Sequence, residues 1–467
     1  MPLFIRKFYE PEYLIKSSAR YGEIPDAKSA YKHFLKIAWP ATLESVLIGL
    51  VSFIDAMMVS VLGSQSVAAV GVTGQPRMLF FAVFFALNVG VTAIVSRRKG
   101  QNDKNGANEC LCQVFTLVLC ALAIFVARPL LVFAGAGDDI IEDSVIYFRI
   151  IMVGMLFTSM GLVINAAHRG TGNTKIAMIT NIVANVVNCI FNYFLISGNW
   201  FFPKLGVEGA AIATLIGNVV SFAISLITVL KPGGFLRLKF SQCIKINKPV
   251  LKLIAKIGGS AGIEQIFMRI GFFVYCMIVN RLGTVAISTH TICMNILTLS
   301  FSVGDGLGIA ASSLVGQNLG KKRSDLALLF GKVGQRIGFF VSGFLVLLFA
   351  FGGKILVSLF LTDYDPNAAE ILIQGTMIMY IIAATSPAQI SQVIFNGCLR
   401  GAGDTFFVAA SSLLSIAIVR PLITYVLCYP LGLGLIGAWL SLIVDQYLRL
   451  VLSGYRFEGG KWGKIII

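Results

Sequence analysis

The stretch NAAHRGTGNT at residues 165–174 returns as NGCLRGAGDT at residues 396–405, and this recurrence decides how the rest of the chain is read. Working outward, Lys36-Ile37, Glu44, Leu62-Gly63 and Gly100 are answered in the same order by Lys256-Ile257, Glu264, Leu282-Gly283 and Gly320. Leu205-Gly206 with Gly209-Ala210 is answered by Leu433-Gly434 with Gly437-Ala438. The interval lengthens toward the C-terminus, as small loop insertions would make it do. The chain is therefore a duplication. In a membrane protein, a duplication places the working site where the two halves meet.

Composition requires a membrane. Of 467 residues, 57% are hydrophobic and 13% charged, and the mean hydropathy is +0.83. A soluble domain carries about 25% charged residues. The net charge of +16 does not indicate nucleic acid, because the basic residues sit between apolar segments and form no continuous patch. Nine cysteines are scattered, with no CxxC pair and no metal-type spacing, and read as small packing residues.

A spanning helix needs about 20 predominantly apolar residues, and twelve such segments are predicted. Six start near Phe34, Pro76, Leu111, Ser144, Ile176 and Val207; six more start near Leu253, Ala286, Leu328, Ile371, Thr405 and Leu435. The fold class is thus all-α and integral to the membrane, with twelve transmembrane helices in two six-helix bundles related by a parallel pseudo-two-fold repeat. The expected organisation is a basic cytoplasmic arm over 1–33, a first lobe over 34–231, a linker over 232–252 and a second lobe over 253–467. No apolar run in the arm suits a cleavable signal.

The loops alternate in charge. Arg97, Arg98, Lys99 and Lys104 fall in one, and Asp138, Asp139, Glu142 and Asp143 in the next. The second half repeats this with Lys321, Lys322 and Arg323 against Asp363, Asp365 and Glu370. The positive-inside rule makes the basic side cytoplasmic, with both termini inside. The expected location is the plasma membrane, the cell inner membrane of a bacterium, with many passes.

Ionisable groups inside a bilayer are costly and need a reason. Asp55 lies in the apolar run LIGLVSFIDAMMVS (47–60), with no Lys or Arg a helical turn away. It either binds and releases a proton or cation, or makes a purely structural hydrogen bond. Glu44 and Glu264 occupy equivalent repeat positions. Arg269 is a prospective ion-pair partner for Glu264 or for Asp305; a cation site made by Glu264 and Asp305 is the competing reading. Asn181, Asn185, Asn188 and Asn192 share one helix face. They are either interhelical hydrogen-bonding groups or the polar wall of a cavity. The Arg169-Gly170 and Arg400-Gly401 elements read as hinges at cytoplasmic helix ends.

No GxxxxGK[ST], GxSxG, HExxH or Cys/His cluster is present, so neither ATP drive nor an enzyme is expected. The histidines His33, His168 and His290 stand apart from one another. No cofactor is expected beyond a coupling ion.

At this point the chain resembles the multidrug and toxic compound extrusion (MATE) transporters. The resemblance rests on Pro40, Asp55 and Leu62-Gly63; on GVTAIVSRRKG (90–100); on RGTGNT (169–174) and GVEGAA (206–211); and on LRGAGDT (399–405). It runs from about His33 to the end. It implies a V-shaped pair of lobes around a cavity, alternating access, and export of organic cations or drugs in exchange for protons or sodium ions. It further implies that Asp55 couples the ion together with Asn188, Asn192 and Thr214, where sodium at Asp55 is the one metal to consider. Many members carry an aspartate where this chain has Asn192. Glu264 matches a seventh-helix glutamate of a second-lobe site, but the tenth helix here has no acid in its membrane interior. Expected partners are small organic substrates and membrane lipids, with the protein a monomer.

Two alternatives stand beside this. A lipid-linked oligosaccharide flippase of the wider superfamily would want several arginines in its cavity, and only Arg149, Arg269 and Arg420 are candidates. A membrane-embedded enzyme would need a paired catalytic constellation. Asp55 falls opposite Tyr275 in the repeat, and the Asn row has no second-half counterpart. That asymmetry places the expected coupling ion in the first lobe.

Overall fold

The computed structural model describes residues 9–15, 20–60, 84–113, 141–198, 200, 202–231, 233–238, 248–361 and 367–465. The uncharged loop at 63–75, much of the acidic loop at 138–143, and Asp363 and Asp365 lie outside them. So do the side chains of residues 51–60, among them Asp55.

All regular structure in the described residues is helical. Helix α1 spans Ala27–Ser60. The described part of α2 is 84–100, and α3 opens over Lys104–Gln113. Then come α4, Ile141–Gly170, α5, Thr174–Ser197, and α6, Gly206–Leu230. The second half gives α7, Lys248–Asn280, α8, Thr284–Gly320, α9, Ser324–Ser358, and α10, Ala368–Ala402. Helix α11 runs over Thr405–Cys428 and includes a π-helical segment, Leu413–Val419. Helix α12 spans Gly434–Glu458. Among the described residues, nine helices are long and apolar enough to cross a membrane. Helices α1 and α7 begin upstream of the spans expected from Phe34 and Leu253, because a helix can continue past the hydrocarbon into basic residues such as Lys28, Lys32 and Lys252.

The duplicated motifs close equivalent turns. In the first half, Gly172 takes φ +82°, its amide donates to the Arg169 carbonyl at 3.0 Å, and Asn173 donates to His168 at 2.9 Å. In the second half, Gly403 takes φ +86°, and Gly403 and Asp404 donate to Arg400 and Leu399 at 3.0 and 2.8 Å. Only a residue without a Cβ adopts that conformation cheaply, which ends each helix and starts the next.

The Leu-Gly motifs have a second geometric cause. The Leu205 amide donates to the Leu195 carbonyl at 2.9 Å, and the Leu433 amide to the Leu427 carbonyl at 3.0 Å. Gly209 and Gly437 then pack on those same two carbonyls, where a Cβ would come within 2.5 and 2.8 Å.

Residues 43–262 form one compact unit, and residues 1–42 with 263–467 form the other. Within the first, Gly258 of α7 packs on the Ala86 carbonyl of α2, which a Cβ would approach to 2.8 Å. Within the second, the start of α1 is embedded: Phe34 is fully buried against Gly334 of α9, and Gly306 of α8 presses on Thr42.

Candidate functional site

Helix α5 shows how a spanning helix sorts its faces. Ile179, Val183, Val186 and Ile190 are exposed, as lipid-facing side chains would be, while Asn188 and Asn192 are buried on the other side and Asn181 and Asn185 are half-buried. The 4-3-4 spacing of the asparagines thus places all four amides away from the apolar stripe.

Two of them join a chain with α6. Asn188 Nδ2 donates to Thr214 Oγ1 at 3.3 Å, and Asn192 Nδ2 donates to Asn188 Oδ1 at 3.4 Å. Thr214 returns its hydroxyl proton to the Ala210 carbonyl at 2.9 Å. Asn188, Asn192 and Thr214 are therefore brought together. Asp55 lies on α1, but its side chain is outside the described residues.

Asn181 serves a different centre. Its Nδ2 donates to Glu44 Oε1 at 2.6 Å. Arg169 Nη1, from the end of α4, donates to the same oxygen at 2.9 Å, and Arg169 Nη2 reaches Asn88 Oδ1 at 3.3 Å. Glu44 is 3% exposed, so Arg169 neutralises a carboxylate that the bilayer would otherwise exclude.

The second half repeats this arrangement. Arg400 Nη2 donates to Glu264 Oε1 at 2.7 Å, and Ser412 Oγ donates to the same oxygen at 3.0 Å. The sequence offers Arg269 as a prospective partner of Glu264; the structure gives it Arg400, on α10. Helices α1, α4 and α5 in one half, and α7, α10 and α11 in the other, supply acid, base and polar ligand in the same order. The two arginines are thus more than turn residues: each crosses to the acid of its own half. Asp305, on α8, is exposed, and Arg400 lies within electrostatic range of it. Glu264, Arg400 and Asp305 consequently belong to one electrostatic neighbourhood.

Sequence reasoning does not single out Asp445 and Arg449. Arg449 Nη2 donates to Asp445 Oδ2 at 3.0 Å within α12, and Ser415 of the π-helical segment of α11 donates to Asp445 Oδ1. Both charged side chains are buried. The available signal was an acid and a base four residues apart in an apolar helix. The π-helical segment of α11 carries no local sequence signature that would have disclosed it.

Among the described residues, the many apolar helices and the paired buried charges of both halves define the class as a multi-pass membrane protein. The comparisons with known proteins specify the family. The family model MatE matches residues 40–194 and 261–426, and the chain belongs to this family of multidrug efflux transporters. It is 27% identical to a probable multidrug resistance protein NorM of Thermotoga maritima, over 97% of this chain and 96% of that one. It is also 27% identical to an uncharacterized transporter, YisQ, of Bacillus subtilis, over 93% and 96%. Among solved structures, an outward-facing MATE transporter of the MOP superfamily superposes with a TM-score of 0.84 at 20% identity, covering 92% of this chain and 97% of that one. A MOP superfamily transporter from Pyrococcus furiosus gives 0.81 at 21% identity, with the same coverage. The fold is accordingly the twelve-helix, two-bundle fold that the duplication anticipates.

Proposed function

We propose that the protein is a secondary-active antiporter of the plasma membrane that exports organic cations or drugs in exchange for protons or sodium ions by alternating access. Both termini lie in the cytoplasm, and the protein works as a monomer surrounded by lipid. The observation that carries this reading is the first-lobe polar chain Asn192–Asn188–Thr214, held on the side of α5 opposite its exposed apolar stripe. Neutral amides and a hydroxyl on one helix pair supply oxygen ligands of the kind a hard monovalent cation takes. A carboxylate at Asp55 adds the charge that makes occupancy depend on protons or sodium. Ion and substrate each shift the lobes only by their differential affinity for the two states.

The test is efflux of a dye panel from proteoliposomes with proton and sodium gradients imposed separately. Asp55→Asn abolishes gradient-driven efflux at undiminished protein yield. Unchanged efflux in Asp55→Asn would remove the first-lobe site from the mechanism. A complete loss in Glu264→Gln alone would move coupling to the second lobe.

A further inference from the structure

Helix α7 sets two aromatic rings against one guanidinium of α11, and an aromatic row runs on from them to α8 and α12. Arg420 directly follows the π-helical segment Leu413–Val419 of α11. Such a segment carries a wider turn than the α-helix and recurs at functional positions. It presses the Ile416 carbonyl against Gly271 of α7, where any Cβ would collide with it. Phe272 and Tyr275 follow on α7 and therefore stand beside α11. The Arg420 Cζ lies 4.8 Å from the Phe272 ring centre and 4.6 Å from that of Tyr275. The aromatic row continues from Tyr275 to His290 at 5.4 Å and from His290 to Trp439 at 5.5 Å.

Arg420 is 1% exposed. Among the described residues, its Nε and Nη2 have no hydrogen-bond partner, and neither do Tyr275 Oη, His290 Nδ1 or Trp439 Nε1. A guanidinium does not give up its proton. An uncompensated buried cation is among the most unfavourable arrangements in a protein, and two aromatic faces offset only part of that cost. Two buried carboxylates of the same lobe have other partners: Glu264 holds Arg400 and Ser412, and Asp445 holds Arg449 and Ser415. The unmatched groups on Arg420, Tyr275 and Trp439 can only donate or, for the tyrosine, readily donate. Their complement is a species that only accepts and carries one negative charge.

We propose that the second lobe binds a compact monovalent anion at Arg420, beside Phe272 and Tyr275 at the head of the aromatic row that continues to His290 and Trp439. Arg420 is almost fully buried, so the site suits a halide or a small carboxylate rather than a phosphate ester. Its occupancy sets the charge balance of a lobe in which, among the described residues, the other buried arginine, Arg449, already has an acid.

Trp439 makes the site readable. In the purified full-length protein, held in gluconate buffer, Trp39, Trp200 and Trp462 are replaced by Phe so that Trp439 is the remaining tryptophan. Iodide titration gives saturable static quenching, and chloride shifts the curve to higher iodide. Formate separates the sources: competition by it identifies a small carboxylate as a ligand, and its failure leaves free halide. Arg420→Gln weakens iodide binding at least about tenfold, the loss expected for a charged hydrogen-bonding partner. Tyr275→Phe keeps the cation and removes one donor; it weakens binding by a smaller factor and serves if Arg420→Gln does not fold. Linear, non-saturating quenching that chloride leaves unmoved overturns the proposal, as does saturable quenching unchanged in Tyr275→Phe or in folded Arg420→Gln.

Discussion

Arg400 donates to Glu264 at 2.7 Å across 136 residues of chain, and the same acid–base pair, Glu44 with Arg169, closes the first half at 2.9 Å. The duplication therefore copied an interaction as well as a motif. Each pair ties the helix that opens its half to the fourth helix of that half, with the fifth helix adding Asn181 or Ser412.

Breaking either pair leaves an unmatched charge. Glu44 and Glu264 are each 3% exposed, and the Arg169 side chain is 10% exposed against 31% for Arg400. Water reaches Arg400 more readily and weakens its pair. Arg169→Gln is expected to cost about 3–5 kcal/mol, the usual range for a broken buried pair, and Arg400→Gln less. Melting curves of the two variants check the order, and the idea fails if Arg400→Gln proves the more damaging.

The pair within α12 tests the same physics without the duplication. Asp445→Leu strands Arg449, whereas Asp445→Leu with Arg449→Leu removes both charges from an apolar setting. Replacing a whole buried pair by apolar side chains is often neutral. The double variant should melt above Asp445→Leu alone. A double variant that melts lower would mean that the Ser415–Asp445 contact, not the ion pair, stabilises the π-helical segment.

Close helix packing depends on glycine at defined places. A Cβ on Gly401 would strike the Ser312 backbone carbonyl of α8, and neither backbone can move aside easily; a Cβ on Gly343 of α9 would meet nothing within 4 Å. Gly401→Ala should therefore destabilise by about 1–3 kcal/mol through overpacking. Gly343→Ala should be neutral or gain up to about 1 kcal/mol from helix propensity. Equal melting temperatures for the two variants would refute the packing argument.

The N-terminal segment is held by α9. Asp325 Oδ2 accepts from the Tyr21 amide at 3.0 Å and from Arg323 Nη2 at 2.8 Å, while Arg323 Nη2 also donates to the Glu23 carbonyl at 2.9 Å. Asp325→Ala removes the acceptor shared by the arm and Arg323, a local loss of about 1–3 kcal/mol. Trypsin should then cut after Arg20 faster than in the parent protein, with the helical core intact. Cleavage at the parent rate would show that the arm is fastened elsewhere.

The duplication, the helical class and the membrane setting were legible in the sequence because each depends on local quantities. Apolar length sets a span, and a glycine that needs positive φ marks a turn. Gly172 and Gly403, alike in sequence, are alike in backbone conformation. The 4-3-4 spacing of Asn181 to Asn192 fixed a shared helix face for the same reason. The chemistry of intramembrane charges was not legible, because each partner is chosen by helix packing. Glu264 has Arg269 five residues away, yet its ligand comes from α10. Arg420 reads as one more arginine beside a proline, and only the approach of Gly271 to Ile416 surrounds it with Phe272 and Tyr275. The sequence by itself determined how many helices form and their duplicated turns. The tertiary structure decided how the buried charges are paired among the described residues, because burial and electrostatic pairing depend on distances between helices that no local pattern encodes.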